Sequence, residues 1–214
     1  PSQLAAARPG GWMPRSAAGT SRRDVSTSLI TTRRYAPVMH VRTTDLLQHL
    51  DGTRKQLADA FGAVPVARRD ARPAAGQWSA GDVLSHLAMI EASVVEILQK
   101  KLRRAMAAGS LSPAGGDSRR WHRLQGVLLD EELKIKAPDF VVPDGSQLAA
   151  EAWRSLQESR PQLRQVLMAA DGKNTETVVA RHVLLGVLTF EEWLGFVGYH
   201  EQRHAAQILR TCVS

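Results

Sequence analysis

The chain has 214 residues, of which 43% are hydrophobic and 23% charged, so it is long enough to bury a core and has the composition of an ordinary globular protein. No apolar run is long enough to cross a bilayer, and we expect no membrane partner. The single cysteine, Cys212, cannot form an internal disulfide. Nothing therefore indicates an oxidising compartment, and a cytoplasmic location is expected.

The positive charge of the chain, +7 in total, is concentrated at its N-terminus. Residues 1–38 contain six arginines and one acidic residue, whereas the remainder carries 22 basic and 20 acidic side chains. A nearly neutral body does not present the broad basic face that phosphate binding needs. We therefore expect no nucleic-acid partner.

Residues 1–38 are rich in serine, alanine, glycine and arginine and have no sustained helical periodicity. Three interpretations stay open for this leader: a disordered tail, an organelle-targeting peptide, or upstream sequence translated ahead of a start at Met39. The stretch after Met39 passes directly into a helical pattern, which favours the disordered or mis-translated alternatives. We expect the folded domain to span residues 39–214.

Four segments of this domain have the apolar spacing of amphipathic helices. The second and fourth follow capping boxes, Ser79 with Asp82 and Thr189 with Glu192. Pro161 should kink or divide the third helix. The predicted helices begin near Thr43 or Thr44, at Ser79, near Ser146 and at Thr189, and the last three end near Ala107–Gly109, at Ala170 and near residue 211.

The connections between these helices are long. Residues 109–145 contain a segment that is either a short helix or an irregular apolar flap, and connections of this length are often functional or mobile. Residues 181–188 cross back towards the fourth helix, and strand signals are weak throughout. The pattern predicts an all-α fold, a four-helix bundle with long crossover connections.

His200 and His204 lie one turn apart on the fourth helix, so both imidazoles point to the same side and can bind one divalent cation. With Glu201 they form the His-Glu-x-x-His motif of zincin proteases. A metzincin would place its third ligand at Arg210, and none of the ten residues after His204 is acidic. We therefore expect a metal site that is not a zincin protease, with its third ligand upstream.

Four upstream histidines are candidates for that ligand, and the residues alone do not decide among them. His49 reads as a core or rim residue and His86 faces an apolar interior. His122 lies beside two arginines and is expected to be solvated, whereas His182 is expected to tie the crossover by hydrogen bonds.

Charged and aromatic residues near the motif have alternative roles. Glu201 either orients a water molecule or acts as a base, or it forms a salt bridge to a neighbouring helix. Arg203 would pair with Glu96 or with the carboxylate of an anionic thiol. Trp121, with residues 119–136, would cover the metal mouth. If the carboxylate of Glu91 or Glu201 filled the fourth coordination position of the metal ion, a structural or sensing role would be indicated.

Two stretches, "QWSAGDVLSHL" and "GVLTFEEWLGFVGYHEQRHAAQI", together resemble the DinB-like superfamily, which includes the YfiT-type thiol transferases. The resemblance covers about residues 40–213. Matched to the motif of that family, His86, His200 and His204 are the metal ligands. The resemblance implies a four-helix bundle with a three-histidine divalent metal site that is open to a cavity at one end.

The function implied by this resemblance is that of a metal-dependent S-transferase or a related enzyme. Zinc or nickel is the expected metal, and iron and manganese are further candidates. The expected partners are a low-molecular-weight thiol, such as bacillithiol, mycothiol or glutathione, and an electrophilic small molecule. The alternative is a non-enzymatic, stress-associated bundle protein that binds metal, with a helix face that forms a homodimer.

Overall fold

The computed structural model describes residues 39–116, 119–130, 132–133 and 136–213. The interpretations of the leader, residues 1–38, lie outside the described residues. The α-helices are α1 (Val41–Ala63), α2 (Ala80–Ala107), the short α3 (Gln125–Leu128), α4 (Ala149–Ala169) and α5 (Phe190–Val213). Single 3-10 turns occur at Val66–Arg68, Arg120–Leu124 and Asp139–Val141, and the strands are β1 (Val179–His182) and β2 (Gly186–Thr189).

The four long helices form the predicted bundle. Helix α1 packs mainly against α5, α2 packs mainly against α4, and α2 also contacts α5. None of the helices in the described part of the chain combines the length and the apolar character needed to span a membrane. The all-α prediction is confirmed, with one small two-stranded sheet added to it.

Both predicted capping boxes are present. The Ser79 hydroxyl accepts from the Asp82 amide and the Asp82 carboxylate accepts from the Ser79 amide, each at 3.0 Å. The amide of Thr189 donates to the Glu192 carboxylate at 2.8 Å, and the Glu192 amide donates back to the Thr189 hydroxyl at 3.4 Å. These reciprocal bonds satisfy amides that the first turn of a helix leaves free, which explains why both starts were predictable.

The predicted helix ends agree with the structure to within two residues, whereas the starts of α1 and α4 differ from the predictions by two to three residues. Helix α1 begins at Val41 because the His40 side chain caps it, accepting from the Arg42 amide at 3.3 Å. Helix α4 begins at Ala149, whose amide donates to Asp70 at 2.7 Å. Of the two outcomes expected at Pro161, a kink or a division, the division does not occur, since α4 is continuous from Ala149 to Ala169 and packed along α2.

Residues 181–188 cross back towards α5 as expected, but they do so within an antiparallel hairpin that was not predicted from the sequence. Val179 pairs with Thr189 and His182 with Gly186. Each strand has only four residues, too few for an alternating pattern to stand out. Gly186, at a φ of 77°, supplies the positive φ that the turn requires.

The apolar core consists of two clusters along α2 and α5. One contains the later part of α2 (residues 94–102) and the early part of α5 (residues 190–199), and the other joins residues 80–88 to Ala205 and Ile208. The two helices therefore run antiparallel. On α5, His200 and His204 lie between the residues of the first cluster and those of the second, and His86 lies on the adjacent part of α2.

Candidate metal centre

The structure brings together His86, His200 and His204, here called the histidine cluster. His86 lies in the second turn of α2, and the other two lie one turn apart on α5. One ring nitrogen of each residue falls within 4.8 Å of the others, and the side chains are 3%, 9% and 7% exposed in chain order. Three imidazoles in this arrangement are compatible with binding a divalent metal.

Two neighbouring groups set the orientation of the rings. Nδ1 of His86 lies 2.7 Å from the carbonyl oxygen of Val141, and Nδ1 of His204 lies 2.7 Å from Oε1 of Gln207. Since both oxygens accept, each Nδ1 must carry a proton. A neutral ring protonated at Nδ1 presents its lone pair on Nε2. Both of these histidines therefore offer Nε2 as a metal ligand.

The spacing of the two α5 histidines matches a shared ion. Their Nε2 atoms lie 3.1 Å apart. Two nitrogens bound to one tetrahedral zinc at the usual bond length are separated by about 3.3 Å, and a right-angle arrangement brings them to about 2.9 Å. The observed separation lies between these values, so the distance between these two nitrogens needs little change for them to share a metal.

Burial keeps the histidine cluster uncharged. Desolvation lowers the pKa of His86, and it lowers the pKa of His204 to about 3. Burial and the neighbouring histidines hold the pKa of His200 well below its ordinary value. At neutral pH all three rings are neutral, which is the protonation state that binds metals.

The histidine cluster opens into a cavity of about 990 Å³ between α2, α5, the hairpin and the connection that precedes α4. This volume is at the upper end of the range for small-molecule sites. Trp78 and Phe196 lie against the cluster, with ring centroids 4.9 Å from His86 and 5.1 Å from His200. The imidazoles thus have an aromatic wall on two sides and open space on a third.

The other candidate histidines lie outside the cluster. His49 is half-buried between the rings of Trp121 and Tyr199, and its Nε2 is 3.3 Å from the Gly195 carbonyl oxygen. Burial lowers the pKa of His49 to about 4. His122 is exposed as expected, although its Nδ1 lies 2.9 Å from the Tyr199 hydroxyl.

His182 closes the hairpin turn and also lines the cavity. Its Nδ1 accepts from the amides of Leu184 and Leu185, each at 3.1 Å, so the prediction that it ties the crossover by hydrogen bonds is confirmed. Its ring packs against Phe196 at 4.6 Å and against Trp193 at 5.2 Å.

Trp121 does not cover the metal mouth, and this part of the prediction is wrong. Its indole is 3% exposed and packs on α5, where a Cβ added to Gly195 would lie 2.8 Å from the Trp121 Cβ. The glycine leaves room for the ring on the side of α5 that faces α1. The connection lines the cavity instead with Leu128, Ala137, Pro138, Phe140 and Val141.

Arg203 does not pair with Glu96 as predicted. Its guanidinium donates to three backbone carbonyls of the connection, those of Leu128, Asp130 and Leu133, at 3.0, 2.6 and 2.5 Å. An arginine presents five N–H donors in a fixed fork, which suits a run of carbonyls. Arg203 thereby fastens this connection to α5 beside the cavity.

Glu201 belongs to a buried group of four charges, here called the ion quartet: Arg54, Glu91, Arg160 and Glu201. Each long helix supplies one member. Glu201 pairs with both arginines at 2.6 Å and Glu91 pairs with both at 2.8 Å. The second oxygen of Glu201 accepts from the Thr53 hydroxyl at 3.1 Å. These contacts match the salt-bridge alternative for Glu201, and they leave neither carboxylate in the histidine cluster.

Three features of the site were missed from the sequence. The Val141 carbonyl is a backbone group, and no side-chain pattern announces it. The hydrogen bond between Gln207 and His204 could have been predicted from the sequence, because a glutamine three residues after a helical histidine lies on the same helix face. The burial of Arg54 and Arg160 had no signal in the sequence, since an arginine in an amphipathic helix is ordinarily exposed.

The comparisons with known proteins agree with this geometry. The sequence profile of the DinB superfamily matches residues 49–208. The chain is also 28% identical over 142 residues to the uncharacterized protein YuaE of Bacillus subtilis (strain 168), across 64% of this chain and 78% of that protein. No solved structure is similar enough to count as a match. With most of its bundle matched by the profile, the chain belongs to the DinB superfamily.

Proposed function

We propose that the protein binds one divalent metal ion through His86, His200 and His204, and that it is an S-transferase in which this ion activates a low-molecular-weight thiol towards an electrophilic small molecule. The observation that supports the proposal is the convergence of three buried, neutral imidazoles on one side of a large cavity. Three protein ligands with open space beyond them form the arrangement of a catalytic rather than a structural metal site.

The residues present fit such an ion. Imidazole nitrogen suits zinc and nickel, and also iron and manganese to differing degrees. Val141 and Gln207 fix the Nδ1 protons, so two lone pairs are directed before any metal arrives. When bound, the ion would lower the pKa of a thiol that coordinates it, so that the sulfur becomes nucleophilic at neutral pH.

The surrounding residues hold the ligands and limit access of water. Trp78 and Phe196 pack against the imidazoles, and Arg203 holds the connection that forms one side of the cavity. An electrophile in the cavity would therefore meet the activated sulfur in a largely apolar space. Such a space favours transfer to the electrophile over reaction with water.

The ion quartet argues against two other functions. A zincin needs its glutamate beside the metal, whereas both carboxylate oxygens of Glu201 are engaged by arginines and Thr53. The non-enzymatic alternative would be favoured if Glu91 or Glu201 filled the fourth coordination position of the metal. Both carboxylates are instead held by arginines in the quartet. The open position thus supports the transferase.

The metal content of matched variants tests the site. Protein purified without a tag or chelator should contain close to one equivalent of divalent metal by elemental analysis. His86→Ala, His200→Ala and His204→Ala should each contain almost none, while His122→Ala, at an exposed histidine, should match the parent. Unchanged metal content in His86→Ala would show that the three-histidine site is wrong.

A transfer assay tests the reaction. The parent, loaded with zinc or nickel, should accelerate conjugation of bacillithiol, mycothiol or glutathione to 1-chloro-2,4-dinitrobenzene, and the His86→Ala variant should not. A fully metallated parent that accelerates none of these conjugations would contradict the transferase proposal and leave a metal-binding bundle.

A further inference from the structure

The cavity extends to both sides of the histidine cluster, and its two ends differ chemically. Beyond His86 along α2, the lining residues Ile90, Val94 and Ile97 form a stripe about 10 Å long, from the rise of 1.5 Å per residue. Trp193 and Phe196 of α5 face the same end. We call this the apolar end. The opposite end, here the polar end, contains Gln77, Gln207 and Arg210.

The hairpin turn completes the apolar end with hydrophobic side chains that water reaches. Val183 is 63% exposed and Leu184 is 52% exposed, and Phe140 on the facing connection is 71% exposed. All three line the cavity. Exposed hydrophobic side chains grouped at the rim of a cavity are typical of a surface that an apolar ligand covers.

The charge on the cavity wall has one sign. Of the described residues that line it, none is acidic, and the arginines are Arg181, Arg203 and Arg210. The carbonyl partners of Arg203 satisfy its hydrogen bonds but do not neutralise its charge. A low-dielectric cavity lined by positive charge attracts anions and disfavours cations.

We propose that the cavity binds an amphipathic organic anion, with a hydrocarbon or aromatic body in the apolar end and a carboxylate bound by Arg181 on the hairpin. This inference rests on the proposed function in one respect: it identifies the bound anion as the electrophile to which the thiol is transferred. Its binding depends on the apolar end and on Arg181, neither of which includes a histidine of the cluster. The polar end is left for the thiol.

Calorimetric titration of the metal-free protein with four small molecules tests the ligand class. Decanoate should bind about tenfold more tightly than 1-decanol and more tightly still than decyltrimethylammonium, because the chain is shared and the charge differs. Butanoate, which has the carboxylate without the body, should bind at least tenfold more weakly than decanoate. Equal affinity for decanoate and decyltrimethylammonium overturns the proposal.

Two matched pairs of variants locate the binding site. Leu184→Ser should weaken decanoate about tenfold through lost apolar contact, whereas Val66→Ser, at an exposed valine after α1, should not. Arg181→Gln should abolish the preference for decanoate over 1-decanol, whereas Arg154→Gln, on the exposed side of α4, should keep it. An effect of the same size in a control variant contradicts the assignment of that residue.

The metal content of the same samples separates this inference from the proposed function. His86→Ala should lose metal and still bind decanoate. A parent protein that binds metal but not decanoate overturns the ligand class and leaves the metal site standing. A parent that binds decanoate but no metal supports the cavity assignment and contradicts the metal site.

Discussion

The amide oxygen of Gln207 determines which nitrogen of His204 is free to bind a metal. Groups that hold the second nitrogen of a metal-binding histidine fix its tautomer and its ring orientation. Gln207 is the side chain that performs this task for His204, while for His86 it is performed by a backbone carbonyl. Substitution of Gln207 therefore changes the orientation of a ligand without removing one.

Gln207→Leu should weaken metal affinity by about 10- to 100-fold while one equivalent still binds at saturating metal. Competition with a chelating indicator dye measures the affinity, and elemental analysis gives the stoichiometry. Gln202→Leu, elsewhere on α5, is the matched control and should bind like the parent. Parental affinity in Gln207→Leu would show that the hydrogen bond to His204 is irrelevant to the site.

Glu201→Gln distinguishes a glutamate that stabilises the fold from one that acts on the substrate. Removing one partner of a buried ion pair costs about 3 kcal/mol or more, so the free energy of unfolding should fall by about that amount. Metal content should stay near one equivalent. Urea denaturation and elemental analysis check the two quantities, and a variant of parental stability would contradict the structural role of the quartet.

Part of this site followed from the sequence. The four-residue spacing of His200 and His204 places both imidazoles on one helix face, and a resemblance to a family selected His86. Spacing alone does not separate His86 from His49, because both lie on interior helix faces and long-range contacts decide which meets α5. The ion quartet was not predictable for the same reason, since its members come from four separate helices.

At the scale of the element, Gly198 decides how closely α1 approaches α5, and Gly52 of α1 provides a contrast. A Cβ added to Gly198 would lie 2.2 Å from Nε2 of His49, a ring already wedged between Trp121 and Tyr199. Gly52, on the exposed side of α1, has nothing within 4 Å of such an atom. The same substitution therefore has opposite consequences in the two helices.

Gly198→Ala should destabilise the protein by about 1–3 kcal/mol through overpacking. Gly52→Ala should stabilise it by about 0.5–1 kcal/mol, because alanine favours a helix and meets no neighbour. Urea unfolding of both variants measures the pair. A Gly198→Ala variant as stable as Gly52→Ala would mean that His49 moves aside at no cost.

The elements that were predicted and those that were missed differ in where their signals lie. The starts of α2 and α5 were predictable because a capping box is local, complete within four residues. The hairpin was not, because its short strands are stabilised by contacts made elsewhere. Ala180 accepts from the Trp193 indole at 3.3 Å, and His182 packs on Phe196.

At the scale of the whole molecule, buried histidines make the metal-free protein sensitive to acid. Burial lowers the folded-state pKa of His86, His200, His204 and His182, and it lowers that of His49 to about 4. In the unfolded chain these residues titrate near pH 6.5. Below that pH the unfolded state binds protons that the folded state does not, so stability falls as the pH falls.

Between pH 6 and about pH 4, His49 and His204 should each cost up to about 1.4 kcal/mol of stability per pH unit in the metal-free protein, and the other buried histidines should add to this loss below pH 6.5. Urea denaturation at pH 7, 6 and 5 measures the slope. His49→Gln removes one of these groups outside the histidine cluster. It should reduce by about one the number of protons taken up on unfolding, which is the quantity that the slope measures. A stability independent of pH over this range would contradict the neutral state of the buried histidines.

The ion quartet also bears on how the chain folds, because each of the four long helices carries one of its charges. No three of these helices can dock with their buried charges balanced, and an uncompensated buried charge is costly. States with one helix detached are therefore high in free energy, and folding is expected to be cooperative. Helix α5, with two of the three histidines, would then detach only when the whole bundle unfolds, so the halves of the site stay together for as long as the protein is folded.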